Sequence, residues 1–240
     1  MGKGWKNPLM AANAAKRGAK FTKLAREIQV AAKMGGPDPL MNARLRAAVA
    51  DAKAESCPRD TIERAIRKGA GLDSEAAEIE EVLYEGYGPH QVGILVECQT
   101  DNRNRTSADI RAAFNKNGGH LAEMGAVAWM FERIAYIEGD FGKPVDDPEA
   151  EAIEAGANEV ESQGDSTHSF IGPPDELKAI EAALTKRGWK ITTAELSYKP
   201  KNPTPLDGAQ KKEVIEFIQA IDDNDDTHRI HASVDLSAEH

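Results

Sequence analysis

"KPKNPTPLDGAQKKEVIEFIQAIDDNDDTHRIHASVDL", residues 199–236, decides how this chain is put together. Its prolines, Pro200, Pro203 and Pro205, end whatever precedes them and make residues 199–205 a connector. The remainder reads as one helix, "GAQKKEVIEFIQAIDD", and one strand, "THRIHASVDL". A lone strand and helix have no sheet of their own, so the pair must complete something earlier. The block before the connector, about 134–198, needs no help. It runs strand-helix-strand-strand-helix-strand, the split βαβ order of a ferredoxin-like unit. The block before that does. "EEVLYEGYG" and "QVGILVECQT" are strands joined by the turn "YGPH", and a helix over about 104–117 stops at Gly118-Gly119. "AVAWMFERIAYIEG" follows as a long strand, or two in tandem, and no closing helix–strand pair comes after it. Residues 206–240 supply that pair. The expected domains are therefore 78–133 with 206–240 as a middle α/β domain, and 134–205 as a ferredoxin-like α/β domain inserted in it.

Residues 1–77 differ in kind. From about Lys16 an apolar stripe of Phe21, Leu24, Ile28 and Ala31/Ala32 repeats at helical spacing and ends at "MGGPDP" (34–39). A second helix turns Leu45, Ala48, Val49 and Ala52 inward. A third has Pro58 in its first turn, Ile62, Ala65 and Ile66 on its apolar face, and Gly69 as a C-terminal stop. "AGLDSEAAE" (70–78) reads as a linker. The fold class is α+β in three domains: a three-helix domain followed by two α/β domains, the third inserted in the second.

The formal charge of −10 hides an asymmetry: residues 1–70 carry a net +9 and residues 71–240 a net −19. A basic head on an acidic body points to a polyanionic partner, although a solvated basic helix face would look the same. No apolar run approaches the roughly 20 residues needed to cross a bilayer, and the first residues lack the apolar centre of a signal peptide. Cys57 and Cys98 lie far apart without metal-ligand spacing and read as reduced thiols of a cytoplasmic protein.

Three groups of residues stand out. Lys16, Lys20 and Lys23 share one helix face beside the apolar stripe, where they could track phosphates or simply be solvated. Trp5, between Lys3 and Lys6, could stack on an unpaired base or pack on the bundle. "TDNRNRT" (100–106) lies between a strand and a helix. Asp101 or Asn102 suits a helix cap, but cations at a helix N-terminus do not stabilise it, so Arg103 and Arg105 need another reason. They are either contacts to phosphate or base edges, or a lock onto Glu85 or Glu97. His228 and His231, three apart on a strand, point to opposite faces, and "DDNDD" (222–226) lacks the Gly and bidentate Glu of a calcium loop, so it reads as a solvated turn. No metal site, cofactor or catalytic residue is expected: phosphate-binding Gly loop, zinc spacing and G-x-S-x-G elbow are all absent.

"YEGYGP" (84–89), "VECQTDNRNRT" (96–106), "FNKNGG" (114–119) and "AVAWMF" (126–131) occur in that order, after "FTKLAREIQVAAKMGGPDP" and "RLRAAVADAKAESCPRDTIERAIRKG". Together they closely resemble the YebC family, which includes bacterial transcriptional regulators and the mitochondrial translational activator of cytochrome oxidase subunit one. The resemblance covers nearly the whole chain. It implies three domains, no catalytic residues and a non-enzymatic regulator, first a DNA-binding transcriptional regulatory protein and alternatively a translation factor on the ribosome or its RNA. The partner expected is nucleic acid, with no membrane and no small-molecule substrate. The family's basic opening is only partly kept, since "NPLMAANAA" (7–15) departs from it. The nucleic-acid-binding residues carried over or read directly are Lys3, Trp5, Lys6, Lys16, Arg17, Lys20, Lys23, Arg103 and Arg105.

Overall fold

Helix α1 spans Asn7–Gly35 and starts well before the first apolar repeat near Lys16. The correction has a local cause: Ala11, Ala12, Ala14 and Ala15 favour helix whether or not one face is apolar. The structure is a computed structural model. It describes residues 7–73 and 78–235, with side chains from residue 18 onward. The expectations for Lys3, Trp5 and Lys6 lie outside the described residues, and Lys16 and Arg17 are described as helical backbone only. Helix α1 stops at Gly35, and Gly36 turns the chain at φ +87.

Helix α2 spans Ala43–Ala54 and is tied to the end of α1 by its cap. The Asn42 carbonyl accepts from the Leu45 N–H, while its amide donates to the Ala31 carbonyl at 2.7 Å and the Gly36 carbonyl at 2.9 Å. Helix α3 covers Arg59–Gly69. Gly69 is its last residue for a reason of packing: a Cβ there would sit 2.2 Å from the Gln29 carbonyl of α1. The two helices approach so closely that only hydrogen fits. Ile28, Leu45, Ala52, Ile62 and Ala65 fill the space between the three helices.

The chain divides into two compact units, Met1–Ala128 with Thr204–His240, and Trp129–Pro203. In the first, the three helices are followed by β1 (Glu80–Tyr87), β2 (Gly93–Thr100), α4 (Arg103–Lys116) and β3 (His120–Leu121). After the second unit come α7 (Gly208–Asp222) and β8 (Thr227–Ala232). These strands form an antiparallel sheet in the order β3-β1-β2-β8. Val96 sits between Tyr84 and Ile230. Alternate residues of β2 (Ile94, Val96, Cys98) face a core shared with Ile110 and Phe114 of α4 and Val214, Phe217 and Ile221 of α7. The rings of Phe114 and Phe217 meet edge-on at 5.0 Å.

The second unit holds β4 (Phe131–Asp140), α5 (Pro148–Ala155), β5 (Glu159–Ser162), β6 (Thr167–Gly172), α6 (Leu177–Lys186) and β7 (Lys190–Pro200). Its sheet is again antiparallel, ordered β5-β6-β4-β7. Ala135, Ile137, Phe170 and Trp189 pack against Ala152, Ile180 and Leu184 of the two helices. The fold is thus mixed α/β with two antiparallel sheets.

The strand expected across "AVAWMFERIAYIEG" begins only at Phe131, and Ala128–Met130 form a 3-10 turn. The buried carboxylate of Glu85 explains the difference. It accepts from the N–H groups of Gly125, Val127 and Ala128 at 2.7–2.8 Å, so a side chain satisfies donors that a strand would need to pair. Burial pushes this carboxyl up, and the three backbone donors more than reverse it, leaving it below the ordinary range.

Candidate nucleic-acid interface

The junction "TDNRNRT" ends β2 and opens α4. Asn102 is the cap, its side chain accepting from the Arg105 N–H at 3.1 Å. The two arginines then part company. Arg105 turns back, placing Nη2 3.0 Å from Asp226 and 2.9 Å from Asp101. Arg103 stays 63% exposed, with Nε 3.7 Å from Glu80. The expected alternative of a lock onto Glu85 or Glu97 is corrected by this geometry. Glu85 is spent on the backbone of 125–128, and Glu97 meets His231 at 2.6 Å. A lock exists, but its carboxylate comes from the turn before β8.

Asp226 is that carboxylate, and it is 4% exposed. Besides Arg105 it receives Arg26 Nη1 of α1 at 2.7 Å and the Thr106 hydroxyl at 2.6 Å. Burial raises its pKa, while Thr106, Arg105 and Arg26 outweigh that and hold it below the ordinary value. A second cluster centres on Glu27 of α1. Its carboxylate takes Arg44 of α2 through two nitrogens at 2.8 and 3.1 Å, and the Gln99 amide of β2 at 2.6 Å. Arg44 also reaches Glu81 of β1 at 2.8 Å. Desolvation opposes ionisation of Glu27, and Arg44 overcomes it. Lys23 Nζ lies 2.9 Å from Asp222 at the end of α7 and also donates to its carbonyl. Helix α1 is therefore held to the middle sheet by its cations. Part of the charge asymmetry between head and body is settled inside the molecule.

Two sequence expectations change as a result. Of the lysine row, Lys23 is engaged by Asp222, and Lys20, still half-exposed, pairs with Glu55 at 2.6 Å. "DDNDD" is not merely a solvated turn, because Asp226 is buried and Asp222 anchors α1. The opposite-face placement of the histidines also fails. A register shift opposite Glu97 and Cys98 breaks the alternation of β8. His231 meets Glu97, and His228 Nε2 lies 3.3 Å from Glu27 without forming a hydrogen bond. Burial, the largest influence, lowers the His228 pKa and keeps the ring neutral. Cys98 is buried too, and desolvation pushes its thiol up to about 12, which removes it as a nucleophile near neutral pH.

Within the helical head, α3 carries a cluster of unpaired cations. On α3 the side chains of Arg64, Arg67 and Lys68 make no hydrogen bond or ion pair among the described residues. Ile62 and Ala65 are buried, so these three sit on the outer flank. Sequence reading passed over them, though "RAIRKG" shows cations at three- and four-residue steps beside an apolar face. Beside them runs a groove bounded by α1, α3 and the start of the junction, touching Phe21, Gln29, Thr61, Lys68 and Asp101. Helix α3 and "TDNRNRT", far apart in sequence, border the same depression.

Comparison with known proteins places these features in context. A family model described as the TACO1/YebC protein N-terminal domain matches residues 7–72. Another, the TACO1/YebC second and third domain, matches residues 79–234. A "Probable transcriptional regulatory protein" of Bdellovibrio bacteriovorus is 57% identical over 234 residues, covering 98% of this chain and 100% of the relative. A protein of the same description from Geobacter sulfurreducens is 43% identical over 229 residues, covering 94% and 90%. The crystal structure of a conserved hypothetical protein from Aquifex aeolicus superposes with a TM-score of 0.79 at 40% identity, over 92% of this chain and 91% of that one.

Proposed function

Since the chain belongs to the TACO1/YebC family, we propose that it is a non-enzymatic, cytoplasmic regulator that binds nucleic acid, in the first place a DNA-binding transcriptional regulatory protein. Its relatives carry the transcriptional name. The observation that carries the reading is the α3 face. Lys23, Arg26, Arg44 and Arg105 are matched to carboxylates, whereas Arg64, Arg67 and Lys68, neighbours on α3, have no partner among the described residues. Three neighbouring cations on a helix flank suit a phosphate backbone. Lys3, Trp5, Lys6, Lys16, Arg17 and Lys20 would add further contacts to the nucleic acid, as would the exposed Arg103. The engaged Lys23 and Arg105 would position the others. Among the described residues no helix is long and apolar enough to cross a membrane.

A second reading, a translation factor on the ribosome or its RNA, draws on the groove beside α3. A depression suits irregular or unpaired nucleic acid better than a regular duplex. We read the architecture as three modules: a helical head of 1–77, a middle domain of 78–133 with 206–240, and a ferredoxin-like insertion of 134–205. Separate cores, the β5-β6-β4-β7 order and the gap between the two family matches support that division.

The test is charge reversal of Arg64, Arg67 and Lys68 to Glu. Affinity for duplex DNA should fall at least about a hundredfold, and the slope of log affinity against log salt should flatten by roughly 2.7 if three phosphates are lost. Full binding by a folded triple variant would mean that the face is only solvated. Crosslinking in cells then separates the two readings, by whether genomic DNA or ribosomal RNA is recovered.

A further inference from the structure

We infer that the groove between α1 and α3 is a nucleotide pocket, taking the base of one unpaired nucleotide while α3 holds the flanking phosphates. The inference deepens the nucleic-acid reading and rests on it. The groove encloses about 300 Å³, the small end of the range for ligand sites and suited to one ring system. Phe21 and Ala25 of α1 and Ile79, just before β1, give it apolar walls. Three polar side chains converge on it: Gln29 of α1, and Thr61 and Lys68 of α3. None of the three makes a side-chain hydrogen bond or ion pair among the described residues. An amide, a hydroxyl and an ammonium, all without partners, surround a slot with an aromatic ring at its side. That combination matches a base, which offers a π-face to Phe21 and an edge of donors and acceptors to Gln29 and Thr61.

The arrangement also selects the form of the nucleic acid. A base stacked in a duplex presents only its groove edges, so entry between two helices requires one that is already free or flipped out. Thr61, Arg64 and Lys68 follow one another at steps of three and four along α3, on one face of that helix. With a base seated at Thr61, Arg64 and Lys68 follow it along the same ridge, both toward the C-terminal end of α3, to meet the phosphates that lead away from it. The groove is closely packed at its root. Gly69 brings α3 against the Gln29 carbonyl, closer than any side chain would allow. Asp101 lines the rim, but Arg105 holds its carboxylate 2.9 Å away, which reduces its repulsion of phosphate.

The double variant Gln29→Leu/Thr61→Val removes the base-edge partners and keeps every cation. Its affinity for an unstructured oligonucleotide should drop about tenfold, the loss of one moderate stacking or edge contact. Duplex binding and the salt slope should stay unchanged. Methyl resonances of Ala25, Thr61 and Ile79 in the unaltered protein, followed on adding the oligonucleotide or adenosine monophosphate, give a readout that needs no variant. Shifts at these methyls with the tenfold loss bear the inference out. Oligonucleotide binding with silent methyls and an unaffected double variant overturns the groove and leaves the nucleic-acid reading standing. Methyl shifts with adenosine monophosphate, but no binding of any nucleic acid polymer, keep a nucleotide site and overturn the regulator reading. Silence towards both probes overturns the groove, and the regulator reading falls with it only where duplex DNA is not bound either.

Discussion

The helical head carries two populations of cations that sequence does not distinguish. Lys23, Arg26 and Arg44 on α1 and α2 each find a carboxylate from outside the three helices, namely Asp222, Asp226 and Glu81. Arg64, Arg67 and Lys68 on α3 find none among the described residues. Both groups lie on amphipathic helices beside apolar stripes. What separates them is whether a carboxylate of β1, the end of α7 or the turn before β8 comes within reach. A cation that such a carboxylate meets is part of the fold, and one that none reaches is available to a partner. Net charge along a sequence therefore overstates the polyanion-binding face, because neutralising residues can arrive from 200 positions away.

The sharpest way to break this contrast is Asp226→Ala. It leaves Arg26, only 14% exposed, without its buried carboxylate and removes one acceptor of the Thr106 hydroxyl. A loss of about 3 kcal/mol, read by denaturant unfolding, is expected. Asp222→Ala, at a carboxylate 60% exposed, should cost less than about 1 kcal/mol. Small losses at both would mean that the engaged cations are as dispensable to folding as those of α3.

The pH dependence of stability sharpens the same comparison. His228 faces Glu27, Glu97, Arg44 and Arg229, and its folded pKa lies below the ordinary 6.5. The unfolded chain therefore binds its proton first as pH falls, and stability should begin to decline below about pH 6.5. Glu27 and Asp226 are also depressed, from 4.5 and 3.8, so their contribution is complete above those values and lost as pH falls through the folded ones. Thermal unfolding should show both limbs, and His228→Gln should remove only the upper one. The α3 cations contribute to neither, and their Glu variants should keep the His228 limb.

The smallest effect separates the two arginines of one loop. Arg105→Ala removes one of several donors to Asp226 and should cost about 1–2 kcal/mol in thermal or chemical melts. Arg103→Ala should stay within about 0.5 kcal/mol. If the order is reversed, the division of labour in "TDNRNRT" is wrong.

How much of this could be read in advance varies by residue. The cap at Asn102 was legible because capping is local, requiring only an oxygen two or three residues before a free N–H. The Glu85 carboxylate was misassigned as a candidate partner for arginine, since its real donors lie 40 residues on and are backbone groups without a side-chain signature. Asp226 sat in a run of acids that reads as solvent-facing. Gly69 looked like a helix stop, and its role in helix contact depends on where Gln29 comes to lie. The α3 cations were legible and were passed over in favour of the more conspicuous lysine row.

By itself the sequence determined most elements and the apolar faces of the helices: period and turn residues act over a few positions, so the three helical stripes and the apolar run of β2 are visible without a structure. It also determined the resemblance, through long contiguous motifs. Only the tertiary structure decided which charges are free. Pairing a guanidinium with a carboxylate requires a few ångströms of separation, and the positions of Arg26 and Asp226 converge to 2.7 Å only after β8 joins β2 and α1 lies against them. A Coulombic partner is set by distance in space, and distance along the chain carries almost no information about it.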